Sequence, residues 1–273
     1  MSLLKPKVYD CIIVGAGLSG LIAARNLHRS GQNILLIEAR DRLGGRMYGR
    51  TLESGQWIDF GGQWVGPTQT RFLALLDEYK VRRFPSPAHG KTVLVFNGKR
   101  YEFNGFFQGL HEGEIPDLPK QEWQDAMTAW ERFHELSSAM PDGYPRPNEQ
   151  NKRLDRDTFA RWIEDNTHTD FGHWYFSYLC RAVGFLGPAE PSQVSLLHVL
   201  WGQNSAPQSE HPEAELLHGG AGQIPEKIAA ELGDRIRLNE PILSIHHSET
   251  EVEVKTGTNL RRDTLWGRLF RLW

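Results

Sequence analysis

YDCIIVGAGLSGLIAARNLHRSGQNILLIEARDRLGGR, residues Tyr9 to Arg46, is the stretch whose reading decides the fold. It opens with a short apolar run, Cys11 to Val14, bounded by glycine, the pattern of a fully buried parallel strand. Gly15, Gly17 and Gly20 then supply GxGxxG at a strand-to-helix turn, with Leu18 and Ser19 at the start of the helix. The three glycines have separate tasks: a tight turn, close backbone approach to a pyrophosphate, and close packing of helix on sheet. Gly20, Ala23 and Ala24 keep the helix slim where it must lie on the sheet, and Gly31 ends it. A second buried strand, Ile34 to Ile37, finishes on Glu38. That acid stands about 20 residues past the turn, where a dinucleotide fingerprint wants a carboxylate for the ribose hydroxyls. A plain glycine-rich turn in a βαβ unit has no need of it. Glu38 also opposes a 2′-phosphate by charge, although Arg40 lies close by.

The fingerprint alone does not separate NAD from FAD. Three further segments do so by resemblance. EARDRLGGR, Glu38 to Arg46, resembles the second adenine-dinucleotide signature of flavoprotein amine oxidases, and includes Ala39, Arg40, Gly45 and Arg46. DFGGQWVGPTQTR, Asp59 to Arg71, looks like the same family's GG-aromatic segment beside the flavin. GGAGQIPEKIAAEL, Gly219 to Leu232, is a third match in the expected order. The resemblance is to the flavin-containing monoamine oxidase and L-amino-acid oxidase group, and it covers residues 8 to 258.

That resemblance implies FAD, with Gly15, Gly17 and Gly20 on the pyrophosphate, Glu38 on the ribose and Arg46 supplying charge near the phosphates. Gly61, Gly62, Gln63 and Trp64 would pass by the flavin, and the backbone at Ile242 would touch the adenine. It further implies that a neutral amine or L-amino acid gives up its α-hydrogen to the flavin, yielding an imine, with O2 reduced to H2O2. The cofactor supplies the hard chemistry and the protein supplies position and desolvation. No catalytic side chain is assigned.

Composition is that of an ordinary globular chain of 273 residues with net charge −3, which points away from nucleic acid. Two cysteines make no disulfide framework and favour a reducing compartment. MSLLKPK lacks the apolar stretch of a signal peptide and no run reaches membrane-spanning length, so a cytoplasmic location is expected. A homo-oligomer is left open.

Further along, Thr68 reads as the cap of a helix carrying Phe72, Leu75, Leu76 and Tyr79. TVLVF and KRYEF flank Asn97-Gly98, the preferred pair for a type I′ hairpin turn. Trp123, Met127, Trp130 and His134 share one face of a helix. Phe159, Trp162 and Ile163 mark another, and Phe171, Trp174, Tyr175, Tyr178, Leu179 and Ala182 a third. This aromatic density reads first as core, with an amine pocket as the alternative. PSQVSLLHVLW, Pro191 to Trp201, resembles the family's cavity-lining helix. His168 with His173, and His246 with His247, do not have the spacing of a metal site.

The expected fold is α/β. A Rossmann-like FAD-binding domain with a parallel sheet and β-meander occupies 1–85 and 218–258. A mixed, largely helical substrate domain is inserted at 86–217. After Thr256 the family pattern is lost. Residues 259–273 read as a non-family tail following truncation, with the C-terminal half of the family fold missing. A second reading makes the tail a basic amphipathic helix with Leu265, Trp266, Leu269, Phe270 and Trp273 on one face. Two functional classes follow: an amine-oxidising flavoenzyme, and a non-catalytic dinucleotide-binding remnant.

Overall fold

The computed structural model describes residues 8–87, 90–104, 117–141, 143, 145–182, 189–205, 213–258 and 261–268. The chain divides into two compact units, Met1–Ser86 with Ser209–Trp273, and Pro87–Gln208.

In the first unit β1 (Val8–Tyr9) and β2 (Cys11–Val14) lead into α1 (Leu18–Arg29) and then β3 (Ile34–Ile37). β2 and β3 pair in parallel from Cys11↔Ile34 to Val14↔Ile37, as the crossover through α1 demands. Every residue of β3 is buried, because it is the central strand between β2 and β11. β2, at the edge, is half-buried with Val14 exposed, rather than fully buried as expected. Two short antiparallel strands follow, β4 (Gly49–Thr51) and β5 (Trp57–Asp59). Then come β6 (Trp64–Val65), α2 (Thr70–Glu78) and β7 (Arg83–Pro85). Gln69, not Thr68, occupies the N-cap of α2. Leu75 and Leu76 are buried as the apolar spacing predicts, with Phe72 and Tyr79 packed beside them. On α1, Ala24 is buried but Ala23 faces solvent, so only one of the two alanines serves the sheet contact.

The second unit begins with the hairpin of β8 (Thr92–Phe96) and β9 (Lys99–Phe103). Asn97 and Gly98 both have positive φ, 48° and 72°, as a type I′ turn requires. Helices follow: α3 (Lys120–Ser138), α4 (Glu149–Arg156), α5 (Phe159–Asn166), α6 (Asp170–Ala182) and α7 (Leu196–Ser205). Their core is aromatic, with Phe133, Phe159, Trp162, Phe171, Tyr175 and Phe176 all buried. The buried stripe of α3 runs through Ala126, Ala129, Trp130, Phe133 and Ser137. Trp123 and Met127 flank that stripe and His134 is exposed, so the expected face is rotated.

The chain returns to the first unit through β10 (Glu215–Leu217), which lies between β6 and β7 and therefore joins that unit before residue 218. α8 (Gln223–Leu232) stops at Gly233, and β11 (Ile236–Arg237) extends the parallel sheet beside β3. β12 (Ile242–His247), β13 (Glu251–Thr258) and β14 (Arg261–Arg268) make the meander. β14 corrects the second, helical reading of the tail. Arg261–Arg268 is a strand, antiparallel to β13 and parallel to β1 at Val8↔Trp266 and Tyr9↔Gly267, rather than a helix. Leu269, Phe270 and Trp273, like residues 1–7 and the side chain of Ala182, lie outside the described residues.

One polar cluster fixes the far end of α1. Arg29 donates to Glu231 Oε2 from Nε (3.0 Å) and Nη2 (2.7 Å), and to Glu78 Oε1 from Nη1 (2.8 Å). Arg25 Nη1 reaches Glu78 Oε2 at 3.1 Å and the Tyr79 hydroxyl at 3.2 Å, and that hydroxyl donates to Glu231. α1, α2 and α8 are thereby held together at one end, which sets the direction in which the other end of α1 points.

Candidate functional site

At that other end, the Gly15 N–H donates to Ile37 O at 2.7 Å, joining the glycine turn to the end of β3. A Cβ on Gly20 would sit 2.0 Å from the Gly15 carbonyl oxygen, so the helix can approach the turn only with glycine there. Around Gly17 the opposite holds, since a Cβ would meet nothing within 4 Å. Gly17 is the N-cap of α1, with no side-chain capping bond and no acidic residue in the first turn. The positive end of the helix dipole and its first N–H groups thus border open space, the arrangement that binds phosphate. The three fingerprint glycines fit a pyrophosphate. Leu18 is half-buried and Ser19 exposed at the same helix start.

The second signature packs on this turn. Gly44 N–H donates to Ala16 O at 2.8 Å, and a Cβ on Gly45 would stand 3.3 Å from Gly17 Cα. Glu38 turns its carboxylate back onto the turn, accepting from Ala16 N–H at 2.8 Å and from Arg40 N–H at 2.9 Å. Its backbone is tied to Arg237 and Glu240, and Arg40 O accepts from Asn239 N–H at 2.9 Å. These bonds bring the start of β12, with Ile242, to the Glu38 end of the sheet. Ala39 and Arg40 are exposed. Arg46 is also exposed, and its guanidinium has no hydrogen bond or ion pair among the described residues. Its carbonyl accepts from Gly62 N–H at 3.0 Å, and a Cβ on Gly61 would lie 1.9 Å from the same oxygen. Gly61 therefore lets this segment lie flat against the second signature, whereas a Cβ on Gly62 would meet nothing within 4 Å.

Beyond them opens a cavity of about 580 Å³, lined by Leu18, Met47, Gly62, Gln63, Trp64, Phe72 and Ala221 among others. The cavity gathers Leu18, Gly62, Gln63 and Trp64 from the sequence-derived set. Met47, Phe72 and Ala221 were missed. Phe72 belongs by its spacing to the apolar stripe of α2, and Ala221 to a motif that carries no spacing signal of its own. Among the described residues no group of three or more His, Cys, Asp or Glu side chains could hold a metal. His198 is exposed and packs on Trp201 with ring centroids 5.9 Å apart.

A sequence profile described as "Flavin containing amine oxidoreductase" matches residues 18–264. The chain belongs to this family. An L-amino acid dehydrogenase of Synechocystis sp. is 67% identical over 249 residues, 91% of this chain and 53% of that protein. A probable flavin-containing monoamine oxidase A of Dictyostelium discoideum is 31% identical, covering 91% of this chain and 54% of its own. Among solved structures, cyclohexylamine oxidase from Brevibacterium oxydans IH-35A superposes with a TM-score of 0.78 at 25% identity, covering 97% of this chain and 57% of its own. The chain spans about half the length of the curated relatives it matches. The α/β fold with a parallel sheet is that of the family, and FAD is the cofactor that family membership gives to this site. No described helix is long and apolar enough to cross a membrane.

Proposed function

We propose that this flavin amine oxidoreductase chain forms the FAD-binding part of an enzyme that oxidises L-amino acids, with other amines as the wider substrate class. One observation carries the cofactor part. Leu18 is the first residue of α1 and also lines the 580 Å³ cavity, so a phosphate site and a ring-sized apolar space adjoin at one residue. The preference for L-amino acids is supported by 67% identity to an L-amino acid dehydrogenase, against 31% to a monoamine oxidase.

When bound, FAD supplies the two-electron acceptor for the α-hydrogen of a neutral amine. The chain's own residues do the rest. The α1 N-terminus and Arg46 would neutralise the pyrophosphate. Glu38, each of whose oxygens accepts one backbone N–H, would keep lone pairs free to accept from ribose hydroxyls. The Gly61-Gly62 pair allows backbone to lie close to a flat ring, while Met47, Trp64 and Phe72 exclude water from it. Electrons are proposed to pass on to O2, giving H2O2. The relative's name is dehydrogenase, so the assay must offer a dye acceptor as well as O2.

The test is titration of the purified chain with FAD and with NAD, followed by flavin fluorescence and tryptophan quenching. FAD is expected to bind and NAD not to; tighter binding of NAD would sink the assignment. Dye or O2 reduction is then measured with L-amino acids and with simple amines. Binding without turnover is the expected outcome for these 273 residues alone, and turnover would show that they suffice. The non-catalytic reading predicts no turnover even when the rest of the relative's sequence is supplied as a fusion.

A further inference from the structure

Two walls of the cavity come from chain segments far apart in sequence; the β6–β10 pairing joins them at Trp64↔Leu216, and one carboxylate ties them again at Ala221. Asp59, the last residue of β5, accepts the Ala221 N–H on Oδ1 at 3.0 Å. Ala221 is buried and lines the cavity. The cavity strip Gly62 to Trp64 begins almost at once after Asp59, and hangs on residues 46–48 through Phe60 N–H to Tyr48 O (2.7 Å) and Gly62 N–H to Arg46 O (3.0 Å). The carboxylate sits in a socket walled by glycine. A Cβ on Gly49 would stand 2.8 Å from Oδ1, and one on Gly220 3.0 Å from Oδ1 and 3.1 Å from Oδ2. Gly222 in turn meets the Gly49 backbone, where a Cβ would come within 3.2 Å of its nitrogen. This is a physical reason for Gly220 and Gly222 of GGAGQ that does not involve touching a cofactor. Behind the socket lies a second space of about 320 Å³, bordered by Arg50, Thr51, Trp57 and Glu226, into which the carboxylate would swing if it lost its partner.

Resting on the flavin reading above, we infer that Asp59 is a positioning residue: by holding Ala221 to the Gly62–Trp64 strip it sets the width of the flavin-ring cavity without contacting the flavin. The acceptor, not the charge, is what the contact needs, so Asp59→Asn should preserve it and Asp59→Ala should not. Gly49→Ala should mimic Asp59→Ala from outside the contact, since Gly49 has no left-handed backbone and a methyl there, 2.8 Å from Oδ1, displaces the carboxylate.

The experiment measures FAD affinity, visible circular dichroism of the bound flavin and melting of the apoprotein for these three variants and the unsubstituted chain. Asp59→Ala and Gly49→Ala are expected to weaken FAD by about tenfold, the scale of one lost hydrogen bond, and to alter the flavin dichroism. Asp59→Asn should stay near parental affinity with parental dichroism. Unchanged affinity and dichroism in Asp59→Ala would overturn the inference. So would an Asp59→Asn variant as impaired as Asp59→Ala. Should Asp59→Ala fail to fold, Asp59→Asn and Gly49→Ala still decide by their contrast. Failure of the unsubstituted chain to bind FAD would instead overturn the flavin reading, and this inference with it.

Discussion

At Gly17 and Gly20 two glycines of one motif answer to different constraints, and substitution should separate them. Gly17 has extended backbone and empty space beside it, so Gly17→Val should fold with a cost of about 1 kcal/mol or less while abolishing FAD binding. Gly20→Ala should instead destabilise the apoprotein by about 1–3 kcal/mol, because its methyl must move the Gly15 carbonyl or the helix. Apoprotein melting alongside FAD titration checks both; a Gly17→Val variant that binds FAD normally would show that the open space is not the phosphate site. Glu38→Ala is expected to weaken FAD by about 1.5–3 kcal/mol, through loss of charge-assisted hydrogen bonds. These residues were legible in the sequence because their reasons are local: a turn, a helix start and a strand end within one βαβ unit. Asp59 and Ala221 were not, since a hydrogen bond spanning 162 positions leaves no spacing to read.

At the scale of elements, α3 and α6 are joined by acids that finish a helix. Asp125 Oδ2 accepts from His168 N–H (2.8 Å), Thr169 N–H (2.9 Å) and the Thr169 hydroxyl (2.8 Å), while Glu122 accepts from Phe171 N–H (2.8 Å). A Cβ on Gly172 would fall 2.4 Å from that same oxygen, so only glycine lets α6 sit so close. Burial alone would raise the Asp125 pKa, but the bonds from His168 and Thr169 outweigh it and hold the carboxyl below its usual range. Its stabilisation is therefore present above the unfolded pKa, near 4, and disappears as pH falls through the lower folded value. Asp125→Ala should cost about 2–3 kcal/mol at neutral pH, and the difference from the parent should shrink in strong acid; a difference constant down to pH 2 would contradict this. The periodicity of α5 and the Asn97-Gly98 turn were readable because the local signal was unopposed. On α6, by contrast, the expected Phe171, Tyr175 and Leu179 are buried together with Phe176 and Cys180, and Trp174 and Tyr178 are only partly buried. On α3, tryptophan and methionine outweighed the small Ala126 and Ala129, which mark the true contact because small residues admit close approach. In Arg261–Arg268 a helical spacing of Leu265 and Trp266 is overruled by pairing with β13 and β1, partners that periodicity within the segment cannot reveal.

For the whole molecule, the aromatic core of Pro87–Gln208 and the aliphatic core around α1, α2 and α8 are separate clusters. FAD contacts proposed above fall entirely in the aliphatic unit. Saturating FAD, at about 100 times its Kd, should stabilise that unit by about 2.7 kcal/mol and leave the melting of the aromatic unit in place. Hydrogen exchange resolved by segment would check this, with equal protection across both units as the contrary result. The manner of insertion has its own consequence. β7 and β10 pair side by side at the boundary, and the Ser86 N–H donates to Ala214 O at 2.8 Å. The entire aromatic unit thus leaves and re-enters through two backbone positions already in contact, as a side loop does from a hairpin. Removing residues 87–213 and joining the ends with a short turn would replace a very long closure by a short one, which lowers the entropic cost of bringing β7 to β10. The trimmed chain should fold with its glycine turn intact, making a miniature dinucleotide binder whose construction requires no redesign of the sheet.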